Sequence, residues 1–138
     1  MRSARKAFTL VEVLIVVIVL GILAAIVVPQ FSEASTDAKV SSLSTNLQII
    51  RGQIAMYKLQ HNDTLPALKT FTEQMTQFSK EDGTYHATDR TNYPLGPYLQ
   101  TIPNNPYTGT NDVTKDAAGA TKAWYYDEST GEFRANHK

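Results

Sequence analysis

The sequence predicts an α+β protein in which a long N-terminal helix packs on a small antiparallel β-sheet with extended loops. Three observations support this fold class: an almost unbroken apolar run near the start, an apolar stripe with helical spacing after it, and alternating strand patterns close to the C-terminus. The 138 residues suit one ordinary domain. We divide the chain into a basic leader (residues 1–7), an apolar helix (8–29), an amphipathic helix (30–61) and a small α+β head (62–138).

Composition is distributed unevenly along the chain. Apolar residues make up 42% of the whole chain but nineteen of the twenty-four residues from 8 to 31. Thirteen basic and thirteen acidic side chains cancel, yet Arg2, Arg5 and Lys6 place +3 on the leader and leave −3 on the rest. Proteins that bind nucleic acid through its phosphates show the opposite bias, so we expect no nucleic-acid partner. The absence of cysteine excludes disulfides, thiol catalysis and thiolate metal sites.

The apolar run is long enough to cross a membrane. Residues 8–28 contain only two polar side chains, those of Thr9 and Glu12, and as a helix they extend over about 32 Å, which matches a hydrocarbon core of roughly 30 Å. Because basic residues precede the run, the positive-inside rule places the N-terminus in the cytoplasm and everything from about Gln30 onward outside. A cleaved signal peptide is disfavoured, since the run exceeds the usual apolar region and contains a carboxylate. An uncleaved membrane anchor stays open.

Glu12 is the unusual residue of this run, because a carboxylate in a spanning helix costs about 2.5–3.5 kcal/mol on insertion scales. Residues 6–12, Lys-Ala-Phe-Thr-Leu-Val-Glu, followed by the apolar run and Pro29, resemble the N-terminus of type IV pilins and of the pseudopilins of type II secretion systems. The resemblance implies that a prepilin peptidase cuts between Ala7 and Phe8 and that Phe8 becomes an N-methylated N-terminus. That family usually has glycine in place of Ala7. Alanine is the smallest replacement, so we expect slower or intact processing.

Cleavage would create an α-ammonium group at Phe8, four residues before Glu12. When such helices leave the bilayer and bundle into a filament, each buried charge needs a counter-charge, and leaving one unpaired costs about 3–5 kcal/mol. As the resemblance also implies, Glu12 would pair with the Phe8 ammonium of an adjacent subunit and set the subunit register. The alternative is a carboxylate that lies near the membrane interface without a partner.

Pro29 is predicted to break or loosen the helix, because proline cannot donate a backbone hydrogen bond and clashes with the preceding turn. In the resembled family a proline at this place accompanies a locally unwound stretch in filaments. After it, apolar residues recur at intervals of three and four along one helical face. They are Val40, Leu43, Leu47, Ile50, Ile54 and Tyr57. We predict that this stripe holds the sheet of its own chain rather than a coiled-coil partner, and that the helix ends near residues 61–63.

The C-terminal region is predicted to contain short elements between many turns. Residues 65–78 have the spacing of a short helix or a packed loop, and residues 123–135 have the pattern of a β-hairpin. Trp124, Tyr126 and Phe133 are the candidates for the buried face of that hairpin. This half resembles the major pseudopilin of type II secretion, although less specifically than the N-terminus resembles its family.

The same resemblance implies that a loop between late strands can bind calcium. The corresponding residues 111–122 hold two candidate ligands, Asp112 and Asp116. Calcium takes six to eight oxygen ligands, and two carboxylates rarely suffice without several backbone carbonyls. The favoured interpretation is therefore a solvated polar loop, and we expect no other cofactor.

No catalytic constellation is present in the sequence. His61, His86 and His137 are scattered and are interpreted as surface residues, and there is no nucleophile elbow or phosphate-binding glycine loop. We predict a pilin-like structural subunit, not an enzyme. It is stored in the inner membrane and assembled with copies of itself, by an inner-membrane assembly platform, into a periplasmic or extracellular filament. The alternative is an uncleaved bitopic protein whose head binds a ligand. The sequence leaves open a long pilus or a short pseudopilus, a major or a minor subunit, and the cargo.

Overall fold

The computed structural model describes residues 8–116 and 122–136. It contains a helix α1 (Leu10–Gln60), a 3₁₀ turn (Leu68–Thr70), a short helix α2 (Phe71–Thr76) and five strands. The strands are β1 (Phe78–Ser79), β2 (Tyr85–His86), β3 (Val113–Thr114), β4 (Trp124–Asp127) and β5 (Glu132–Ala135). The chain divides into two compact units, Met1–Ala38 and Lys39–Lys138. The predicted α+β class is thereby confirmed.

The described part of the first unit is helical from Leu10 onward, and every one of its residues from 8 to 38 is exposed. Helix α1 continues through Pro29, and the kink or local loosening at this residue stays a prediction. A proline inside a helix costs about 3 kcal/mol, mainly because one backbone hydrogen bond is lost.

In the second unit, the C-terminal part of α1 packs on its own head. Ile50, Ile54 and Tyr57 are buried, and Leu43 and Leu47 pack against the same core. The stripe thus serves the chain's own core from Leu43 to Tyr57, whereas Val40, which was predicted to belong to it, is exposed. The helix ends at Gln60, as predicted, and the chain leaves through two residues with positive φ. These are Asn62 and Asp63, residue types that tolerate the left-handed region at helix ends.

The strands form two small sheets. β1 pairs with β2 antiparallel, and a three-stranded sheet has the order β3-β4-β5. β4 and β5 form the predicted antiparallel hairpin, in which Tyr126 lies opposite Phe133. The sheet is mixed rather than antiparallel, because β3 pairs with β4 in parallel. The sequence pattern missed this strand: only two residues of β3 enter the ladder, too few to show alternation.

Aromatic side chains fill the core of the head. Trp124, Tyr126 and Phe133 are all buried, as predicted. The Phe71 ring from α2 completes the cluster, 4.6 Å from the Tyr126 ring between centroids. The polar ends of the large rings find partners: the Tyr126 hydroxyl donates to the Pro66 carbonyl and the Trp124 indole N–H donates to the Pro103 carbonyl, both at 2.8 Å. Buried Tyr and Trp require such partners, so these bonds tie two loops to the sheet.

His61 is buried, which corrects its interpretation as a surface residue, whereas His86 is exposed as predicted and His137 lies outside the described residues. The His61 ring stacks on Tyr57 with 3.6 Å between centroids, and only 1% of its surface is exposed. Nδ1 lies 2.8 Å from the Tyr57 carbonyl and Nε2 lies 3.2 Å from the Ser79 hydroxyl. A carbonyl oxygen only accepts, so Nδ1 carries the proton and, in the neutral ring, Nε2 accepts from Ser79. His61 thus joins the end of α1 to β1.

Asn105 holds the proline-rich loop before the mixed sheet. Its side chain is fully buried, its Nδ2 donates to the Ala123 carbonyl at 2.8 Å and its Oδ1 accepts from the Tyr107 N–H at 2.9 Å. The Asn105 backbone N–H also donates to the Thr110 carbonyl at 2.8 Å. A single amide side chain therefore satisfies two backbone groups of separate segments.

We predict that Asn105→Ala destabilises the head by about 1–3 kcal/mol, since buried backbone groups would be left without partners. Trp124, the single tryptophan and a core residue, provides the fluorescence signal for urea unfolding. Asn104→Ala is the matched control, because the neighbouring side chain is exposed. It should change the stability by no more than about 0.5 kcal/mol. Equal effects of the two substitutions would contradict the role given to Asn105.

A second prediction concerns alkaline pH. Burial, followed by the nearby Tyr98 and Asp82, raises the pKa of Tyr57 from 10.0 to about 12. Below pH 10 the phenol is neutral in both the folded and unfolded states. Between about 10 and 12 the unfolded chain ionises first, so stability falls as the pH rises. Unfolding of Tyr57→Phe should be less pH-dependent in this range than that of the wild type, while Tyr85→Phe should follow the wild type. Parallel profiles for Tyr57→Phe and the wild type would refute the assignment.

Candidate functional site

The first turn of α1 carries the polar groups of the apolar segment. Thr9 precedes the helix and Glu12 is its third residue. Glu12 Oε2 accepts hydrogen bonds from the Thr9 backbone N–H at 2.8 Å and from the Thr9 hydroxyl at 3.0 Å. In return, the Glu12 backbone N–H donates to Thr9 Oγ1 at 3.2 Å. This reciprocal arrangement is a capping box, in which two backbone donors at the helix start are satisfied by two side chains.

The capping box gives the Glu12 carboxylate two donors within its own chain. The interfacial alternative assumed a carboxylate without a partner, but Glu12 accepts two hydrogen bonds from Thr9. Thr9 supplies only neutral donors, however, so these contacts provide no counter-charge for the negative charge of the carboxylate. Glu12 can accept further hydrogen bonds, because a carboxylate has about four lone-pair sites and both described bonds to Thr9 use Oε2.

The surroundings of this polar turn are apolar and uncovered. Phe8 is 85% exposed, and no large apolar side chain between residues 10 and 31 is less than 41% exposed. Helix α1 is long and apolar enough to cross a membrane. An apolar surface of this extent requires lipid or other protein as its environment.

The structure brings together some of the residues that the sequence singled out. Phe8 lies two residues before α1, Glu12 lies in its first turn, and Pro29 lies further along the same helix. Ala7 lies outside the described residues. Thr9 is a residue of this site that the apolar pattern alone does not single out, because there it only interrupts the apolar run. The signal was present as the spacing Thr-x-x-Glu before an apolar helix.

In the described part of the late-strand loop, Asp112 has its partners within the chain. Asp112 Oδ1 accepts from the Thr110 hydroxyl at 2.6 Å and from the Ala123 N–H at 3.2 Å, and its Oδ2 lies 3.1 Å from Lys122 Nζ. Partial desolvation opposes these groups, yet together they lower the pKa of Asp112. In residues 8–116 and 122–136 no three His, Asp or Glu side chains cluster as metal ligands would. Asp112 is thus occupied by Lys122 and by hydrogen-bond donors of its own chain, and residues 117–121 of the loop lie outside the described residues.

Comparisons with known proteins extend these observations. Residues 2–28 match the prokaryotic N-terminal methylation motif. Type II secretion system core protein G of Klebsiella pneumoniae is 33% identical over 105 residues, which cover 75% of this chain and 69% of that protein. Its counterpart in Pseudomonas aeruginosa is 42% identical over 60 residues, 44% of this chain and 42% of that protein. The type IV major fimbrial protein FimA of Dichelobacter nodosus is 41% identical over 54 residues, 39% of this chain and 35% of that protein. No solved structure matches the chain.

The long apolar helix, the polar turn at its start and the small α+β head define a type IV pilin-like protein. Within that class, the chain belongs to the family of type II secretion system core protein G, the major pseudopilins. The names of these relatives describe components of a secretion system, and not enzymes.

We predict that Thr9→Val loosens the first turn of α1, because valine keeps the shape of threonine but cannot cap. Losing an N-cap costs typically about 1 kcal/mol, which corresponds to roughly fivefold faster hydrogen exchange of the Glu12 amide. Exchange can be measured by NMR on the full chain in detergent. Thr9→Ser keeps the hydroxyl and should exchange at nearly the wild-type rate. An unchanged rate in Thr9→Val would show that the capping box does not form in detergent.

Proposed function

We propose that this chain is a pilin-like structural subunit that is cut before Phe8 by a prepilin peptidase and polymerises through its N-terminal helices into a pilus or pseudopilus. The observation that carries the proposal is the exposed apolar helix with a single carboxylate in its first turn. The match of residues 2–28 to the N-terminal methylation motif supports processing at this place and methylation of the new Phe8 nitrogen. The role is mechanical, not enzymatic.

The helix suits two environments in succession. Before assembly, the inner membrane covers the apolar segment, with the basic leader in the cytoplasm and the head outside. During assembly, the segments of neighbouring copies replace the lipid and form the centre of the filament. An inner-membrane platform would carry out this transfer. Residues 8–29 would then form the filament core, and Pro29 would allow the helix to unwind locally there, although it is helical in a single copy.

Glu12 has a separate role in each environment. In the membrane, the Thr9 N–H and hydroxyl stabilise its carboxylate at the start of the helix. In the filament, the α-ammonium group of Phe8 in a neighbouring copy would add the missing counter-charge. Only one axial offset between two copies would bring these groups together, so the pair would determine the register of the subunits.

Intact-mass measurement tests processing. Protein purified from cells that also contain a prepilin peptidase should have a mass that begins at Phe8 and includes a methyl group. A mass that begins at Met1 would contradict the proposal and favour an uncleaved membrane-anchored binding module. Ala7→Gly should be processed at least as fast as the wild type, because glycine is the usual residue of the family at this place.

We predict that Glu12→Ala is inserted and cleaved like the wild type but does not assemble, since no carboxylate remains to pair with the neighbouring ammonium group. Leaving one partner of a buried pair alone costs about 3–5 kcal/mol per contact, so filament yield should fall below detection. Shearing of cells followed by electron microscopy measures the yield. Glu33→Ala, an exposed carboxylate of the same helix, is the matched control and should assemble. Normal filaments from Glu12→Ala would remove the register mechanism and leave processing intact.

A further inference from the structure

The backbone hydrogen bonds of its ladder would by themselves hold strand β3 only weakly. It is a two-residue edge strand that pairs in parallel with β4, with Val113 opposite Trp124. Parallel pairing is slightly less stable per residue than antiparallel pairing, and parallel strands usually need a connection of a dozen or more residues. Here nine residues separate Thr114 from Trp124. Other interactions must therefore hold β3 against β4.

Two lysine–aspartate bridges close the pair at its two ends. Before the strands, Lys122 Nζ lies 3.1 Å from Asp112 Oδ2. After them, Lys115 Nζ lies 3.4 Å from Asp127 Oδ1. The order of charges is reversed between the ends, because the aspartate flanks β3 in the first bridge and the lysine flanks β3 in the second. Each bridge thus joins the flank of β3 to the flank or end of β4.

The carboxylates of both bridges are already supplied with donors. Asp112 Oδ1 accepts from the Thr110 hydroxyl and the Ala123 N–H. Asp127 Oδ1 accepts from the Ser129 N–H at 2.9 Å and the Ser129 hydroxyl at 2.6 Å. The two ammonium groups add two positive charges, the same charge that one calcium ion would bring. A divalent cation at Asp112 would have to displace the Lys122 ammonium group.

We propose that the two lysine–aspartate bridges take the place of a divalent cation in closing the β3–β4 pair, so that the head of this chain folds without calcium. The sequence of the connection agrees, because residues 117–121 are Ala-Ala-Gly-Ala-Thr and bring no carboxylate. The proposal goes beyond polymerisation: it concerns the folding of the head, and it holds or fails whether or not the chain forms filaments.

Thermal unfolding of the full chain in detergent, followed by Trp124 fluorescence, tests the proposal. The wild type should have the same midpoint in millimolar calcium chloride and in the chelator EGTA. The double variant Lys115→Gln with Lys122→Gln should unfold about 4–8 °C lower in both solutions, on the scale of two exposed ion pairs in a head of this size. High salt should reduce this difference by screening the charges.

Two further variants separate the bridges from a general effect of lost charge. Lys69→Gln removes a lysine for which the described residues provide no ion pair, and it should leave the midpoint unchanged. Lys122→Arg keeps a positive charge beside Asp112 and should retain most of the stability that Lys122→Gln loses. A wild-type midpoint that rises by several degrees in calcium, or stoichiometric calcium binding in equilibrium dialysis, would overturn the proposal. A double lysine variant as stable as the wild type would overturn it as well.

Discussion

The two parts of helix α1 need their apolar surface covered in different ways, and the other features of the molecule depend on this constraint. Its N-terminal part is apolar on all sides and exposed throughout, so it requires an environment that the chain itself does not provide. Its C-terminal part is apolar on one face, and there Ile50, Ile54 and Tyr57 are buried by the head. One part of the helix is therefore suited to lipid or to other copies, and the other part to folding.

The head is held together by a few aromatic rings and by polar groups that connect loops. A small domain buries only a modest share of its surface, and this one has no disulfide to compensate. Hydrogen bonds from Asn105, Trp124 and Tyr126 reach three backbone carbonyls in separate segments. The bridges of Lys115 and Lys122 serve the same purpose at the weakest strand. These hydrogen bonds and ion pairs stabilise a head whose short sequence provides only a small apolar core.

The charged groups of the two units illustrate different uses of a carboxylate. Glu12 has only the neutral donors of Thr9 among the contacts described, so its charge is available to another molecule. Asp112 and Asp127 already have lysine partners and hydroxyl donors within the chain. A carboxylate without a counter-charge suits assembly, and one that is neutralised internally suits folding. Identical residue types thus differ in function because their neighbours differ.

The sequence by itself determined the long helix, its apolar and amphipathic parts, the hairpin around Trp124 and Phe133, and Phe8 and Glu12 as the candidate assembly residues. These features depend on local periodicity and short spacings, which one segment displays without the rest of the chain. Only the tertiary structure decided that β3 is parallel, that His61 is buried against Ser79, and that Asp112 pairs with Lys122. These depend on contacts between distant segments. The side chain that neutralises a carboxylate or satisfies an imidazole is set by the path of the backbone, which residue spacing does not specify.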